Sequence, residues 1–95
     1  MNASPDEIAE IESLQQRIRA AGLRCTSARL AVLRELGKSA SPLTHADVAE
    51  RLAVQGIDKA TVFRNLVDLV DAELLTRNEL GDHVWRFEIR PPGTP

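Results

Sequence analysis

The chain has 95 residues, of which 43% are hydrophobic and 27% charged, and its formal net charge is −2 at pH 7. This length allows one small domain of ordinary globular composition, and no apolar run approaches the roughly 18 residues that a membrane-spanning helix needs. A single cysteine, Cys25, excludes an internal disulfide and a cysteine-based zinc site closed within one chain. Because the acidic N-terminus also lacks the basic and apolar regions of a signal peptide, we expect a cytoplasmic protein with no membrane partner.

The charges are segregated along the sequence. Residues 1–12 contain four acids and no base, residues 13–64 contain nine bases against four acids, and residues 65–95 contain six acids against three bases. A basic middle segment favours a polyanionic partner, since the local field rather than the net charge steers a ligand. An Arg-rich solvated surface without any partner fits the same pattern, so charge alone leaves both interpretations open.

Two helices are predicted in the first part of the chain. Ser4 followed by Pro5 is typical of a helix start, and Gly22 is placed to end that helix in a left-handed conformation. Apolar residues recur there at spacings of three and four, which predicts one buried stripe: Ile8, Ile11, Leu14 and Ile18. Thr26 can cap a second helix that we expect to end at Gly37, with three inward residues: Leu30, Leu33 and Leu36.

A helix-turn-helix is predicted next. A third helix begins at Ser41 or Thr44 and ends before Gly56, and Asp58 caps a fourth helix after a short connection. Two short helices joined by a tight turn that contains Gly are the outline of this motif. The inward apolar residues are Val48 and Leu52 in the third helix, and Val62, Leu66 and Leu69 in the fourth.

Toward the C-terminus the period changes from helical to alternating, which predicts two strands, 75–78 and 83–89. Helices followed by such a hairpin are the order of a winged helix. The expected fold class is therefore mainly α with a small β-hairpin wing, a winged helix-turn-helix. We assign residues 1–89 to this winged-helix domain and residues 90–95, RPPGTP, to the start of a hinge or a disordered tail.

The fourth helix, about residues 58–72, has one free face. At 100° per residue, the side opposite its apolar stripe carries Ala60, Thr61, Arg64, Val67 and Asp68, with Lys59 and Phe63 on the margins. A helix-turn-helix places the N-terminal residues of its second helix in the major groove, so we interpret this helix as a recognition helix. There Thr, Arg and Lys can meet phosphates or base edges, and an aromatic ring can touch thymine methyls.

Each of these residues also has a purely structural interpretation. Arg64 could be a solvated surface charge, Phe63 could lie at the edge of the core, and Thr61 could be a neutral surface residue. Asp68 would repel phosphate, so we expect the reading surface to end near Asn65.

The sequence resembles the ferric uptake regulator (Fur) family in four stretches: GLRCTSARLAVL at 22–33, LTHADVAERL at 43–52, ATVFRNL at 60–66 and RFE at 86–88. The resemblance implies a metal-responsive, dimeric repressor with an N-terminal winged-helix domain and a C-terminal dimerisation and metal domain. It covers roughly residues 8–89 and only the first half of the family's length.

The resemblance also implies roles for individual residues. Arg24 matches a basic residue that approaches the minor groove or the DNA backbone, and Arg29 matches the Arg of a T-x-x-R element that supports phosphate contact. The centre of the recognition helix is matched by Thr61, Phe63 and Arg64, while Lys59 occupies a variable position that could tune sequence preference. The family usually has Tyr at the position of Phe63, so the ring face is kept and a hydroxyl contact is lost.

Metal ligands are only partly matched. Glu88 matches a carboxylate at the end of the wing that ligates metal in several members, and His83 lies near the wing tip, where some members supply another ligand. A histidine that often opens the third-helix motif is replaced here by Pro42. These residues do not complete a zinc site, so we expect no metal in this chain and surface positions for His83 and His45. A divalent metal (iron, zinc or manganese) is expected only in a longer, full-length form.

The leading function is that of a sequence-specific transcriptional regulator, a Fur-like repressor that binds double-stranded DNA at a palindromic operator. We expect a homodimer in a full-length form, and a monomer or weak dimer for this chain alone. The alternative is a winged-helix protein-interaction module that pairs with a full-length regulator, for which the acidic N-terminal helix would suit a basic partner. We do not expect an enzyme, because no histidine near Cys25 in sequence is placed to act as its base.

Overall fold

The structure is a computed structural model and describes residues 4–91. Within this range the order is α1 (Pro5–Ala20), α2 (Ser27–Lys38), β1 (Leu43–Thr44), α3 (His45–Leu52), a 3₁₀ turn (Ala53–Gln55), α4 (Lys59–Asp71), β2 (Leu75–Glu79) and β3 (Trp85–Ile89). The strands form one antiparallel sheet in the order β1-β3-β2. The predicted fold class, mainly α with a β-hairpin wing, is confirmed.

The helix starts follow the predicted caps. The side-chain oxygens of Ser4 and Thr26 accept backbone N–H bonds of 3.2 and 3.1 Å at the starts of α1 and α2. Of the two alternatives for α3, Thr44 is its cap, and it forms a reciprocal capping box with Asp47. Asp58 caps α4 by accepting the N–H of Thr61 at 3.3 Å. Each cap satisfies a backbone donor that has no partner within the helix, and so fixes where that helix begins.

One hydrophobic core joins the helices to the inner face of the sheet. Its largest fully buried side chains are Ile18, Leu33, Leu52, Leu66, Leu69 and Leu75. Each such side chain contributes about 1.5–3 kcal/mol through removal from water, which is how the core fixes α4 against α2 and α3. The predicted inward residues of α3 and α4 are all buried.

The predicted stripe of α1 is buried only in its second half. Leu14 and Ile18 lie in the core, whereas Ile8 is 46% exposed. The first half of α1 is instead tied to α2 by ion pairs from Glu7 and Glu10 to Arg34.

Gly37 does not end α2 as predicted, because the helix continues to Lys38. A Cβ at Gly37 would lie 3.6 Å from the Cδ1 atom of Ile89, so the glycine sits where α2 approaches β3. The left-handed glycine predicted after α1 is confirmed, with φ +82° at Gly22.

The sheet differs from the prediction in its bounds. β2 runs one residue further, to Glu79, and β3 begins at Trp85 rather than His83. The third strand, β1, was not predicted, because two residues are too few to show an alternation; it pairs Leu43 with Phe87.

Residues 90–95 were assigned to a hinge or tail. Of these, residues 92–95 lie outside the described part of the chain, and the assignment stays a prediction. In the described part of the chain, no helix is long and apolar enough to span a bilayer.

Candidate nucleic-acid interface

The turn between α3 and α4 has the geometry of a helix-turn-helix. After Leu52 the chain makes one 3₁₀ turn and reverses at Gly56, whose φ of +77° is open to glycine and costly for other residues. The N–H of Ile57 donates to the carbonyl of Leu52 at 3.4 Å, and Asp58 then starts α4. The turn therefore joins the end of α3 to the first turn of α4 within a few residues.

The two sides of α4 differ in burial as the sequence predicts. Val62, Leu66 and Leu69 are 0% exposed. On the other side, Lys59 and Arg64 are exposed, and Phe63 is 50% exposed. Of the two alternatives for Phe63, core edge or outward ring, the structure has the outward ring.

Thr61 joins a small polar network at the start of α4. Its hydroxyl donates to Asp58 Oδ1 at 2.5 Å and accepts from Arg64 Nη2 at 3.3 Å. The hydrogen bond from the Thr61 hydroxyl is the main cause that lowers the pKa of the Asp58 carboxyl below its usual value. The longer bond to Arg64 is the weaker of the two, so the guanidinium can leave it for a phosphate at small cost.

The exposed part of α4 is interrupted after Arg64, because the next two residues, Asn65 and Leu66, are buried. Asn65 is 8% exposed, and its side-chain amide donates to the carbonyl of Thr61 at 2.9 Å. One turn later Asp68 carries a negative charge, and this charge is paired within the fold.

Arg29 makes that pair and ties α2 to α4. Its Nη2 lies 2.7 Å from Asp68 Oδ2, its Nη1 donates to the carbonyl of Arg24 at 2.7 Å, and the side chain is 15% exposed. Arg29 therefore offsets the charge that would repel phosphate, and it holds the loop that carries the exposed Arg24. Local sequence patterns do not indicate this pair, because Arg29 and Asp68 are 39 residues apart in the chain.

His45 contacts the start of α4, which the sequence did not predict. It is half-buried at the start of α3, its Nε2 lies 3.0 Å from the carbonyl of Lys59, and its ring centroid lies 5.2 Å from that of Phe63. In the sequence, the one indication of this placement is that His45 directly follows Thr44, the cap of α3.

A groove of about 430 Å³ separates the start of α4 from the wing. Its lining is mostly apolar and aromatic: Thr44, His45, Ala46, Phe63, Val67, Arg77, His83, Val84, Trp85 and Phe87. On the wing side, the guanidinium of Arg77 lies over the Trp85 ring at 4.4 Å from its centroid.

The wing tip is ordered by its own carboxylates. Glu79 Oε1 accepts the N–H groups of Gly81 and His83, and Asp82 pairs with Arg86 at 2.9 Å. The hydrogen bond from Arg86 lowers the pKa of the Asp82 carboxyl.

The two residues matched to metal ligands do not meet. His83 precedes β3 and Glu88 lies near its other end. Across residues 4–91, no group of three or more His, Cys, Asp or Glu side chains is placed to hold a metal ion. The residues present therefore do not fit a metal site by themselves.

A helix-turn-helix followed by a β-hairpin packed on the same core defines a winged helix. Residues 20–94 match the sequence model of the Ferric uptake regulator family. Since this match covers most of the chain, the chain belongs to that family, and the resemblance noted from its motifs is confirmed.

Solved structures support the same fold. The chain matches the ferric uptake regulator of Vibrio cholerae at 27% identity and a TM-score of 0.73, over 84% of this chain and 63% of that one. It matches the Pseudomonas aeruginosa ferric uptake regulator with manganese at 28% identity and 0.73, over 82% and 60%. It matches a manganese uptake regulator at 26% identity and 0.75, over 83% and 60%. The chain thus spans less than two thirds of these relatives. No curated protein sequence matches it.

Proposed function

We propose that the chain is the sequence-specific DNA-binding domain of a Fur-like transcriptional repressor, with α4 in the major groove of double-stranded DNA. The observation that carries this proposal is the difference in burial between the two sides of α4. Its inner side is fully buried, and its first turns offer Lys59, Phe63 and Arg64 to a ligand. A helix-turn-helix reads DNA with that part of its second helix.

The charges around α4 support the same proposal. Lys59 and Arg64 are exposed on α4, and Arg24 is exposed in the loop before α2. The nearby Asp68 is offset by Arg29. We assign phosphate contact to Arg64 and Arg24, and base contact to Thr61, Phe63 and Lys59. Arg29 supports phosphate contact indirectly, because it holds both α4 and the Arg24 carbonyl.

Dimerisation and metal response are proposed for a longer form only. A homodimer would place two recognition helices on a palindromic operator. His83 and Glu88 could serve iron, zinc or manganese only together with ligands from outside residues 4–91. A cytoplasmic location also stays a prediction.

The alternative, a protein-interaction module, has less support from the contacts. Two of the acids on which it depends, Glu7 and Glu10, are already paired with Arg34. A basic partner would therefore have to replace bonds that exist within the fold.

Fluorescence anisotropy tests the proposal directly. The 95-residue chain is titrated into a labelled random-sequence duplex at low and at moderate salt, and then into a duplex selected by the chain from a random library. The proposal predicts salt-sensitive binding to both and tighter binding to the selected one. Absence of binding at high micromolar protein would support the protein-interaction alternative.

A further inference from the structure

His45 joins the first turns of the two helices of the helix-turn-helix. It is the first residue of α3, and its Nε2 lies 3.0 Å from the carbonyl oxygen of Lys59, the first residue of α4. A carbonyl only accepts hydrogen bonds, so Nε2 carries the hydrogen and donates it. The bond therefore fixes the start of α4 relative to the start of α3.

The same imidazole also lies against Phe63. The ring centroids are 5.2 Å apart and the planes are tilted by 52°, which is within the range of favourable aromatic pairs. Phe63 follows Lys59 by one helical turn, so one side chain contacts both the backbone and the outward ring of the first turn of α4. Since Phe63 is 50% exposed, part of its ring stays open to a ligand.

Phe63 has no polar atom of its own with which to fix its ring. A tyrosine could anchor its hydroxyl by a hydrogen bond, whereas a half-exposed phenylalanine depends on neighbouring side chains for its orientation. The only aromatic ring within pairing distance of Phe63 among residues 4–91 is that of His45.

We infer that His45 is a positioning residue for base reading, which holds the Phe63 ring in the orientation that meets a thymine methyl group. This inference rests on the proposed DNA-binding function. It assigns a determinant of thymine preference to α3, outside the recognition helix itself.

Uracil substitution measures the contact, because uracil differs from thymine only by the methyl group that Phe63 would touch. The 95-residue chain selects a duplex from a random library, and each thymine of that duplex is then replaced in turn by uracil. Burial of one methyl is worth about a fourfold change in affinity. The wild-type chain should show this loss at one or two positions.

In His45→Ala, the ratio of affinities for the thymine and uracil duplexes should drop from about fourfold to less than about twofold, because the methyl contact is lost. Its affinity for random duplex and its salt dependence should stay unchanged, because no phosphate contact is removed. His45→Phe keeps a ring beside Phe63 and should retain thymine preference, whereas His45→Gln keeps an N–H donor without a ring and should lose it. A role limited to stability would not separate these last two variants.

Ser4→Ala is the matched control for general destabilisation, since it removes the cap of α1 and leaves α4 untouched. It should keep full thymine discrimination.

The outcomes separate this inference from the proposed function. If the wild-type chain selects no duplex, the proposed function fails. If it selects one, the inference is overturned by unchanged discrimination in His45→Ala, or by a wild-type chain that never distinguishes thymine from uracil. Should His45→Ala not fold, equal discrimination by His45→Phe and His45→Gln would overturn it.

Discussion

Arg64 shows what a single exposed charge contributes at this interface. Within residues 4–91, its guanidinium makes a single hydrogen bond, the 3.3 Å contact to Thr61. Arg64→Ala should weaken binding to all duplexes and reduce the slope of log affinity against log salt by about one. Salt-dependent anisotropy measures this slope.

Lys38→Ala is the matched control, because it removes one exposed positive charge at the end of α2, outside the helix-turn-helix. It should leave the slope unchanged. An unchanged slope in Arg64→Ala would remove Arg64 from the phosphate surface.

Phe63 and Leu66 are three residues apart in α4 and should respond in opposite ways to truncation. Phe63→Ala removes a half-exposed ring and should lower thymine preference with little effect on stability. Leu66→Ala opens a cavity at a fully buried position and should cost about 2–5 kcal/mol of the free energy of unfolding. Urea unfolding and anisotropy on the selected duplex check both. Unfolding caused by Phe63→Ala would place this ring in the core.

At the scale of elements, Arg29 links α2 to α4 through its ion pair with Asp68. Arg29→Ala removes two bonds of 2.7 Å and leaves Asp68 uncompensated, so we expect a loss of about 1–3 kcal/mol of the free energy of unfolding. It should also weaken DNA binding, since Asp68 would then repel phosphate.

Arg34→Ala offers the comparison, as it also removes an ion-paired arginine from α2. Its partners Glu7 and Glu10 are about half exposed, so the loss should stay below about 1 kcal/mol. Equal destabilisation by the two variants, measured by urea unfolding, would contradict the role given to Arg29.

Carboxylates at the turns make the fold sensitive to acid. Hydrogen bonds from Thr44, Thr61 and Arg86 lower the pKa values of Asp47, Asp58 and Asp82 below their usual value. A group whose pKa is lower in the folded state stabilises the fold above its unfolded pKa, which is about 4 for Asp, and this contribution is lost as pH falls through the folded value. The free energy of unfolding should therefore decrease as the pH is lowered below about 4.

Asp58→Asn isolates one of these groups, because asparagine also caps helices but does not titrate in this range. The variant should lose part of the dependence of stability on pH between neutral and strongly acidic solution. A pH profile identical to that of the wild-type chain would show that the Asp58 cap does not contribute to acid sensitivity.

Local signals explain why most elements were predicted from the sequence. Caps such as Ser4 and Asp58 act within three residues, and the spacing of Val62, Leu66 and Leu69 records which side of α4 is buried. The outward position of Lys59 and Arg64 follows from the same spacing.

Features that depend on contacts between distant segments were missed. The pair of Arg29 with Asp68 and the contacts of His45 with α4 depend on how the helices pack, which no local pattern records. The strand β1 is likewise defined by the pairing of Leu43 with Phe87 in β3.

At the scale of the whole molecule, one domain offers one helix, α4, for the proposed contact with a major groove. Half-sites read by a dimer lie about 34 Å apart, and the described chain has one helix-turn-helix, so a second copy is needed to read a palindrome. Joining two copies by a flexible linker that spans this distance should raise affinity for a palindromic duplex about 10²–10⁴-fold. The gain should disappear on a duplex with one half-site, and equal gains on both duplexes would contradict a two-site arrangement.

The central claim is that the first turns of α4 contact DNA. NMR chemical-shift mapping of the 95-residue chain against its selected duplex tests this most directly. We predict that the largest amide shift changes fall on residues 59–64, with further changes near Arg24. Changes confined to α1 and the outer edge of the wing, with residues 59–64 unaffected, would contradict the account.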